Sequence, residues 1–159
     1  MNQSSDITYM ASEIDKYPIQ VTQANFPNTI QLGDVTQIKP NERGMGVDYA
    51  LDYAPPIDFL CGGSPCQGFS FAGKQLNFND ERSRLFFEFV RIKNECKPKY
   101  FLLENVVMKQ EYQDVISEQL GVKPIMLNSS MFSAQNRKRL YWTNFPIDCD
   151  LETFEESKL

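Results

Sequence analysis

Ile57-Asp58-Phe59-Leu60-Cys61-Gly62-Gly63-Ser64-Pro65-Cys66-Gln67-Gly68-Phe69-Ser70 is the stretch on which the fold turns. Residues 57–61 are apolar apart from Asp58 and follow the breaker pair Pro55-Pro56, which predicts a short buried strand. A strand that runs into glycines and then into Cys66 delivers a thiol to the carboxyl end of a sheet, where open α/β sheets place ligands. Pro65 stiffens the backbone beside the sulfur, and the flanking glycines allow close approach. Pro-Cys by itself is equally consistent with a small, buried, inert thiol, so partners for Cys66 have to be sought elsewhere in the chain.

Downstream, residues 71–80 are polar, contain glycine and lack periodicity, which predicts a loop. Leu85, Phe89, Ile92 and Cys96 then recur at helical spacing, with Phe86 and Val90 widening the apolar face, so this segment is a helix packed on the sheet. Arg82 and Arg84 stand at its start, where they oppose the macrodipole; a phosphate partner explains them better than helix stability does. Lys97-Pro98-Lys99 ends the helix. Residues 100–103 form a second buried strand running into Glu104-Asn105-Val106. If the two strands are parallel neighbours joined by the helical crossover, Glu104 lies near Cys66 as a candidate acid. Tyr112 to Leu120 is a further helix stopped by Gly121, and Val122 to Leu127 a further strand. Gln135-Asn136-Arg137-Lys138-Arg139 leads into the strand formers Leu140-Tyr141-Trp142-Thr143. On an extended segment Arg137 and Arg139 share a face. That suits charged hydrogen bonds to a base carbonyl and a phosphate, or simply a solvated basic strand start.

Upstream, residues 7–11 read as a strand closed by the acidic turn Ser12-Glu13-Ile14-Asp15, and Lys16 to Asn25 as a helix with Pro18 in its first turn. Glu13 is either a ribose-gripping carboxylate at a strand end or a solvated turn residue. Residues 29–32 predict a short strand, after which Gly33 turns the chain and presents Asp34, as an acceptor for an adenine amino group or as a helix cap. Residues 39–56 form a weakly specified connection with about one turn of helix.

The 159 residues correspond to about one domain, and 42% apolar content can fill its core. No apolar run reaches the ~20 residues of a membrane span, and the first six residues lack the pattern of a secretion signal. Cysteines at 61, 66, 96 and 149 show no metal-like spacing and suit reduced thiols in a cytoplasm. Histidine is absent, which excludes a histidine-based triad. The net charge of −5 is unevenly spread: residues 66–140 carry 12 basic and 8 acidic side chains, a local +4 in the segment that holds the thiol. Such a patch can bind phosphates on an acidic chain.

Four blocks, Ala11-Ser12-Glu13-Ile14-Asp15, the Gly62–Ser70 stretch with Pro65-Cys66-Gln67, Glu104-Asn105-Val106, and Gln135-x-Arg137-x-Arg139, occur in an order that resembles the C5-cytosine DNA methyltransferases. The resemblance covers about residues 7–147. It implies an α/β fold, an incomplete Rossmann-like methyltransferase fold dependent on S-adenosylmethionine (SAM), with a mostly parallel sheet and flanking helices. Residues 1–147 would be a partial catalytic domain and 148–159 an acidic tail.

Carried over residue by residue, the resemblance implies that Cys66 attacks C6 of a cytosine flipped out of double-stranded DNA, Glu104 protonates or hydrogen-bonds N3, and Arg139, the second motif arginine, holds O2, with Arg137 the other candidate catalytic arginine. Glu13, Ile14, Asp34, Val35 and Pro65 would bind SAM. Gln67, Ser70, Arg82 and Arg84 would supply the DNA contacts that offset base extrusion. Relatives begin with a strand and a Phe-x-Gly-x-Gly loop and continue into a target-recognition region and closing motifs that do not appear here. By analogy the absent strand lies between those at 8–11 and 57–61. The chain is therefore expected to be a piece of a methyltransferase completed by another chain or a homodimer that covers open sheet edges. The alternative is a catalytically inactive relic that binds nucleic acid or a partner.

Overall fold

The computed structural model describes residues 7–41, 44–46, 57–64 and 81–146, with side chains described for 7–39, 57–64 and 84–146. Two compact units, Met1–Pro56 and Ile57–Leu159, divide the chain.

The first unit opens with β1 (Met10–Ala11), paired in parallel with β2 (Ile30–Gln31) across helix α1 (Lys16–Asn25). The helix has the predicted bounds because Asp15, in extended conformation, caps it by accepting a hydrogen bond from Tyr17 N. After β2, Gly33 adopts φ 71°, a left-handed value that suits glycine, and the chain enters a single 3₁₀ turn at Val35–Gln37. Among the described residues of this unit, Thr29, Leu32 and Ile38 are buried. The following connection differs from the expected helical turn: Lys39–Asn41 (β3) and Gly44–Gly46 (β4) pair as an antiparallel ribbon. Gly44 and Gly46 disfavour a helix and tolerate ribbon geometry.

The second unit is a four-stranded sheet in the order β5 (Phe59–Gly63), β6 (Tyr100–Val106), β8 (Lys138–Thr143), β7 (Ile125–Asn128). β5 and β6 are parallel and linked through α2 (Glu81–Cys96), while β8 runs antiparallel between β6 and β7. α3 (Gln110–Leu120) connects β6 to β7 and ends at Gly121, whose φ of 76° makes the left-handed cap that the sequence predicts. Three of its four strands run the same way, but with β8 reversed between β6 and β7 only the β5–β6 pairing is parallel, so the sheet is mixed rather than mostly parallel.

Alternation along β6 sends Phe101, Leu103 and Asn105 to one face and Leu102 and Glu104 to the other. The first face is the core side. Phe101 and Leu103, with Leu140 and Trp142 of β8, pack against Phe86, Phe89 and Val90 of α2 and Tyr112, Ile116 and Leu120 of α3. Trp142 is fully buried and its indole N–H donates to Ser117 Oγ at 3.0 Å. Helix α2 is amphipathic as its spacing predicts, with Arg91 on the polar side bridging Glu88 and Glu95. Among the described residues no helix is long and apolar enough to cross a membrane.

The strand predicted as buried over 57–61 is displaced and not buried: it covers Phe59–Gly63, so both glycines lie inside it, and its residues alternate between exposed and half-buried. Packing explains the shift. A Cβ on Gly62 would come within 2.8 Å of the Phe89 ring, and one on Gly63 within 3.2 Å of Glu104 Oε2. The glycines let β5 stay in register beside β6 where helix and carboxylate press closest.

Candidate functional site

β5 and β6 end side by side, with Gly63 directly opposite Glu104. On the other side of β6, Glu104 stands opposite Tyr141 and Val106 opposite Arg139, so Arg139 reaches Glu104 along the diagonal. Arg139 Nε lies 2.7 Å from Glu104 Oε1. The Nε atom is nevertheless buried with no well-directed hydrogen-bond acceptor among the described residues, although Nη1 donates to Lys138 O at 2.8 Å. Both statements hold: the charges are within ion-pair reach, but the N–H vector is not aimed at the carboxylate. The pair is therefore held together by charge, with Nε itself closed to solvent.

Of the residues that the resemblance assigns to the cytosine ring, Glu104 and Arg139 lie side by side. Arg137 is different. It lies just before β8, exposed, with its backbone N–H fixed by Asn128 Oδ1 at 3.0 Å and its carbonyl accepting from Ser129 N at 3.1 Å. These bonds hold the β7–β8 connection and leave the guanidinium facing solvent. Arg84 is exposed in the first turn of α2 and Arg82 is next to it in sequence, its side chain outside the described residues. Pro65, Cys66, Gln67 and Ser70 lie outside the described residues.

A second thiol shares the sheet face of Glu104. Cys61 stands opposite Leu102, two residues before Gly63, and remains solvent-accessible. Burial pushes the Cys61 thiol above its ordinary pKa, and the Glu104 carboxylate adds to the shift.

Asn105 and Ser64 were given no role by sequence reasoning. Asn105 is 2% exposed on the core face, and its Nδ2 donates to Ser64 Oγ at 2.9 Å and to Ser64 O at 3.2 Å. Its Oδ1 accepts from Val106 N at 2.8 Å. A carboxamide in register with apolar Phe101 and Leu103 is the signal that marks it, legible once the strand is extended through residue 106.

In the first unit, Ser12 Oγ donates to Gly33 O at 2.6 Å and ties together the loops that leave β1 and β2. Glu13 Oε1 accepts from the N–H groups of Ile14 and Asp15, at 2.8 and 2.9 Å. Ile14 is 76% exposed beside it. Asp34 Oδ1 accepts from Thr36 N, so this carboxylate caps the 3₁₀ turn, as one of its two sequence readings has it. Val35 begins that turn. The neighbouring carboxyl ends of two parallel strands thus carry a fixed carboxylate, an exposed branched apolar side chain and a second carboxylate.

Comparison with known proteins gives the site its context. Among curated relatives, the Type II methyltransferase M.NgoBV of Neisseria gonorrhoeae is 37% identical over 169 residues, covering 93% of this chain and 37% of its own. The Type II methyltransferase M.HhaI of Haemophilus parahaemolyticus is 32% identical over 159 residues, covering 93% and 45%. The chain therefore spans less than half the length of either. The crystal structure of a protein assigned as a DNA modification methyltransferase, encoded within an E. coli prophage, superimposes with a TM-score of 0.65 at 29% identity, over 85% of this chain and 39% of that one. The family model for C-5 cytosine-specific DNA methylase matches residues 2–158. A match of that extent, joined to the sheet order and paired site residues above, establishes that the chain belongs to the C-5 cytosine-specific DNA methylase family.

Proposed function

We propose that this chain carries the nucleophile, acid and base-holding arginine of a cytoplasmic DNA (cytosine-5)-methyltransferase, acting on a cytosine extruded from double-stranded DNA. The observation that carries the reading is the Glu104–Arg139 pair at the ends of β6 and β8, with Gly63 in register against the Glu104 carboxylate. Cys66 follows Gly63 by three residues, a covalent reach of at most about 11 Å.

In this mechanism the Cys66 thiolate adds to C6 of the ring. Glu104 donates a proton or hydrogen bond at N3, and Arg139 holds O2 through its guanidinium, so negative charge developing on the ring is met in place. Addition makes C5 nucleophilic. SAM, when bound, supplies the electrophilic methyl group. Loss of the C5 proton to a base and expulsion of the Cys66 sulfur then restore the aromatic ring. Arg137, exposed beside the strand, suits a phosphate, as do Arg84 and Arg82; Gln67 and Ser70 complete the DNA contacts.

The first unit fits the nucleoside part of SAM. Glu13, already oriented by two backbone N–H groups, can accept from ribose hydroxyls, Ile14 offers an apolar surface to a flat ring, and Asp34 and Val35 lie at the adjacent strand end. Pro65, which the resemblance also assigns to SAM, lies outside the described residues. Among the described residues β5 has one strand neighbour, so its free edge is the place for a complementing segment or a second copy to pair.

The test is incubation with SAM and duplex DNA carrying 5-fluorocytosine, using the chain alone and together with the remaining portion of its relatives' length supplied as a second polypeptide. Fluorine at C5 blocks the final elimination, so an adduct at Cys66, located by peptide mass, is the expected result. No adduct in either arm would leave a nucleic-acid- or partner-binding relic as the better description.

A further inference from the structure

Asn105 presents a physical puzzle. It occupies the third place in the row Phe101, Leu103, Asn105 on the core face of β6, opposite Leu140 of β8, and is 2% exposed. Burying a carboxamide there costs about 1–3 kcal/mol unless every group is bonded, whereas an apolar side chain would continue the row at no such cost. Stability alone does not select asparagine at this position.

Its bonds say what it does instead. Nδ2 donates to one residue, Ser64, at its hydroxyl and at its carbonyl. The remaining oxygen is used locally, by Val106 N. The carboxamide therefore joins the end of β6 to the residue at which β5 stops, just beyond the last ladder pair, Gly63 with Glu104. Ser64 also precedes Pro65, a position whose backbone is restricted to extended conformations. Two peptide steps, about 7 Å of chain, separate Ser64 from Cys66, and Glu104 is bonded directly to Asn105.

We propose that Asn105 is a positioning residue: its buried carboxamide holds the Ser64 exit of β5, the point from which the chain runs on to Cys66, against β6 beside Glu104. The role rests on the methyltransferase reading, because it assigns Asn105 to the geometry of the Cys66 attack. It acts through Ser64 and touches neither cytosine nor SAM.

Two variants of the full chain test it, Asn105→Ala and Ser64→Ala, the second keeping the carbonyl contact and removing only the hydroxyl. Peptide-resolved hydrogen exchange reads the restraint without requiring turnover, and the rate of adduct formation on 5-fluorocytosine DNA at saturating DNA reads its consequence, under whichever condition wild type forms the adduct. In Asn105→Ala, amides of residues 62–70 are expected to exchange at least about tenfold faster while α3 and β8 stay unchanged, and adduct formation to slow by about tenfold to a hundredfold with unaltered DNA affinity. Ser64→Ala moves both readouts the same way by less. Exchange that rises uniformly through residues 81–146, or adduct formation at the wild-type rate, overturns the proposal. If Asn105→Ala does not fold, Ser64→Ala decides, and wild-type behaviour there is likewise fatal. A wild-type protein that never forms the adduct removes the methyltransferase reading itself, and this role with it; a competent wild type beside an equally competent Asn105→Ala removes this role alone.

Discussion

Glu104 on β6 and Arg139 on β8 meet across the diagonal of an antiparallel strand pair, Oε1 to Nε 2.7 Å, with side chains 36% and 19% exposed. A pair so placed is partly screened by solvent and contributes at most about 1 kcal/mol to stability. Its value lies in aiming two opposite charges at one spot beside the exit of β5.

Glu104→Gln and Arg139→Lys separate these effects. Each is expected to change the free energy of urea unfolding by less than about 1 kcal/mol. Glu104→Gln slows adduct formation by about a hundredfold or more, the scale of a lost positioned acid. Arg139→Lys keeps the charge but loses the planar fork, and should also slow the reaction. A large stability loss in Glu104→Gln would show instead that the pair is structural.

Gly62→Ala and Gly63→Ala should diverge although the residues are adjacent. The Gly62 Cβ would meet the Phe89 ring at 2.8 Å, within the core, and crowding of that kind costs about 1–3 kcal/mol. The Gly63 Cβ would press on the Glu104 carboxylate at 3.2 Å, with the Glu104 backbone oxygen at an ordinary 3.6 Å, so stability changes little and the adduct rate falls. Urea midpoints and trapping rates on both variants check this, and equal midpoints would contradict it.

Cys61 offers a pH readout. Burial, and secondarily Glu104, raise its pKa, so the thiolate appears only at more alkaline pH than for an ordinary thiol. The midpoint of its iodoacetamide alkylation rate against pH is expected above that of a free cysteine. Removing the carboxylate in Glu104→Gln lowers this midpoint without restoring it fully, because burial is the larger cause. An unmoved midpoint would mean that the carboxylate is not near the thiol.

Trp142 is the chain's one tryptophan and is fully buried, so its fluorescence reports the second unit. Its emission should be blue-shifted in the native protein and move to the red in a single urea transition. Trp142→Phe loses the hydrogen bond to Ser117 Oγ along with ring volume, and should lower the unfolding free energy by about 1–3 kcal/mol, measured by circular dichroism.

Much of this architecture was legible beforehand, for identifiable reasons. The bounds of α1 follow from an aspartate cap at residue 15, the end of α3 from Gly121, and the amphipathic face of α2 from apolar spacing. Such signals act within a few residues of chain, where sequence and structure are nearly the same thing. The order of motifs assigned Glu104 and Arg139 to one ring, but their ion pair with each other was not legible, because it depends on the β6–β8 register. The ribbon at 39–46 and the two glycines inside β5 were not, because each depends on what lies opposite: one strand of a hairpin on the other, Gly62 on a ring of α2, Gly63 on a carboxylate of β6.

By itself the sequence determined which residue types are available for chemistry, a thiol after a strand, a carboxylate after the next, arginines before a third, and no histidine. Only the tertiary structure decided which of them face one another. It divided two arginines that look equivalent on paper, sending Arg139 to Glu104 and leaving Arg137 to solvent, and it revealed that a core asparagine binds the end of one strand to its neighbour. The physical reason is that strand register and the alternation of faces are set by packing between distant segments, and a side chain's partner is fixed only when that register is.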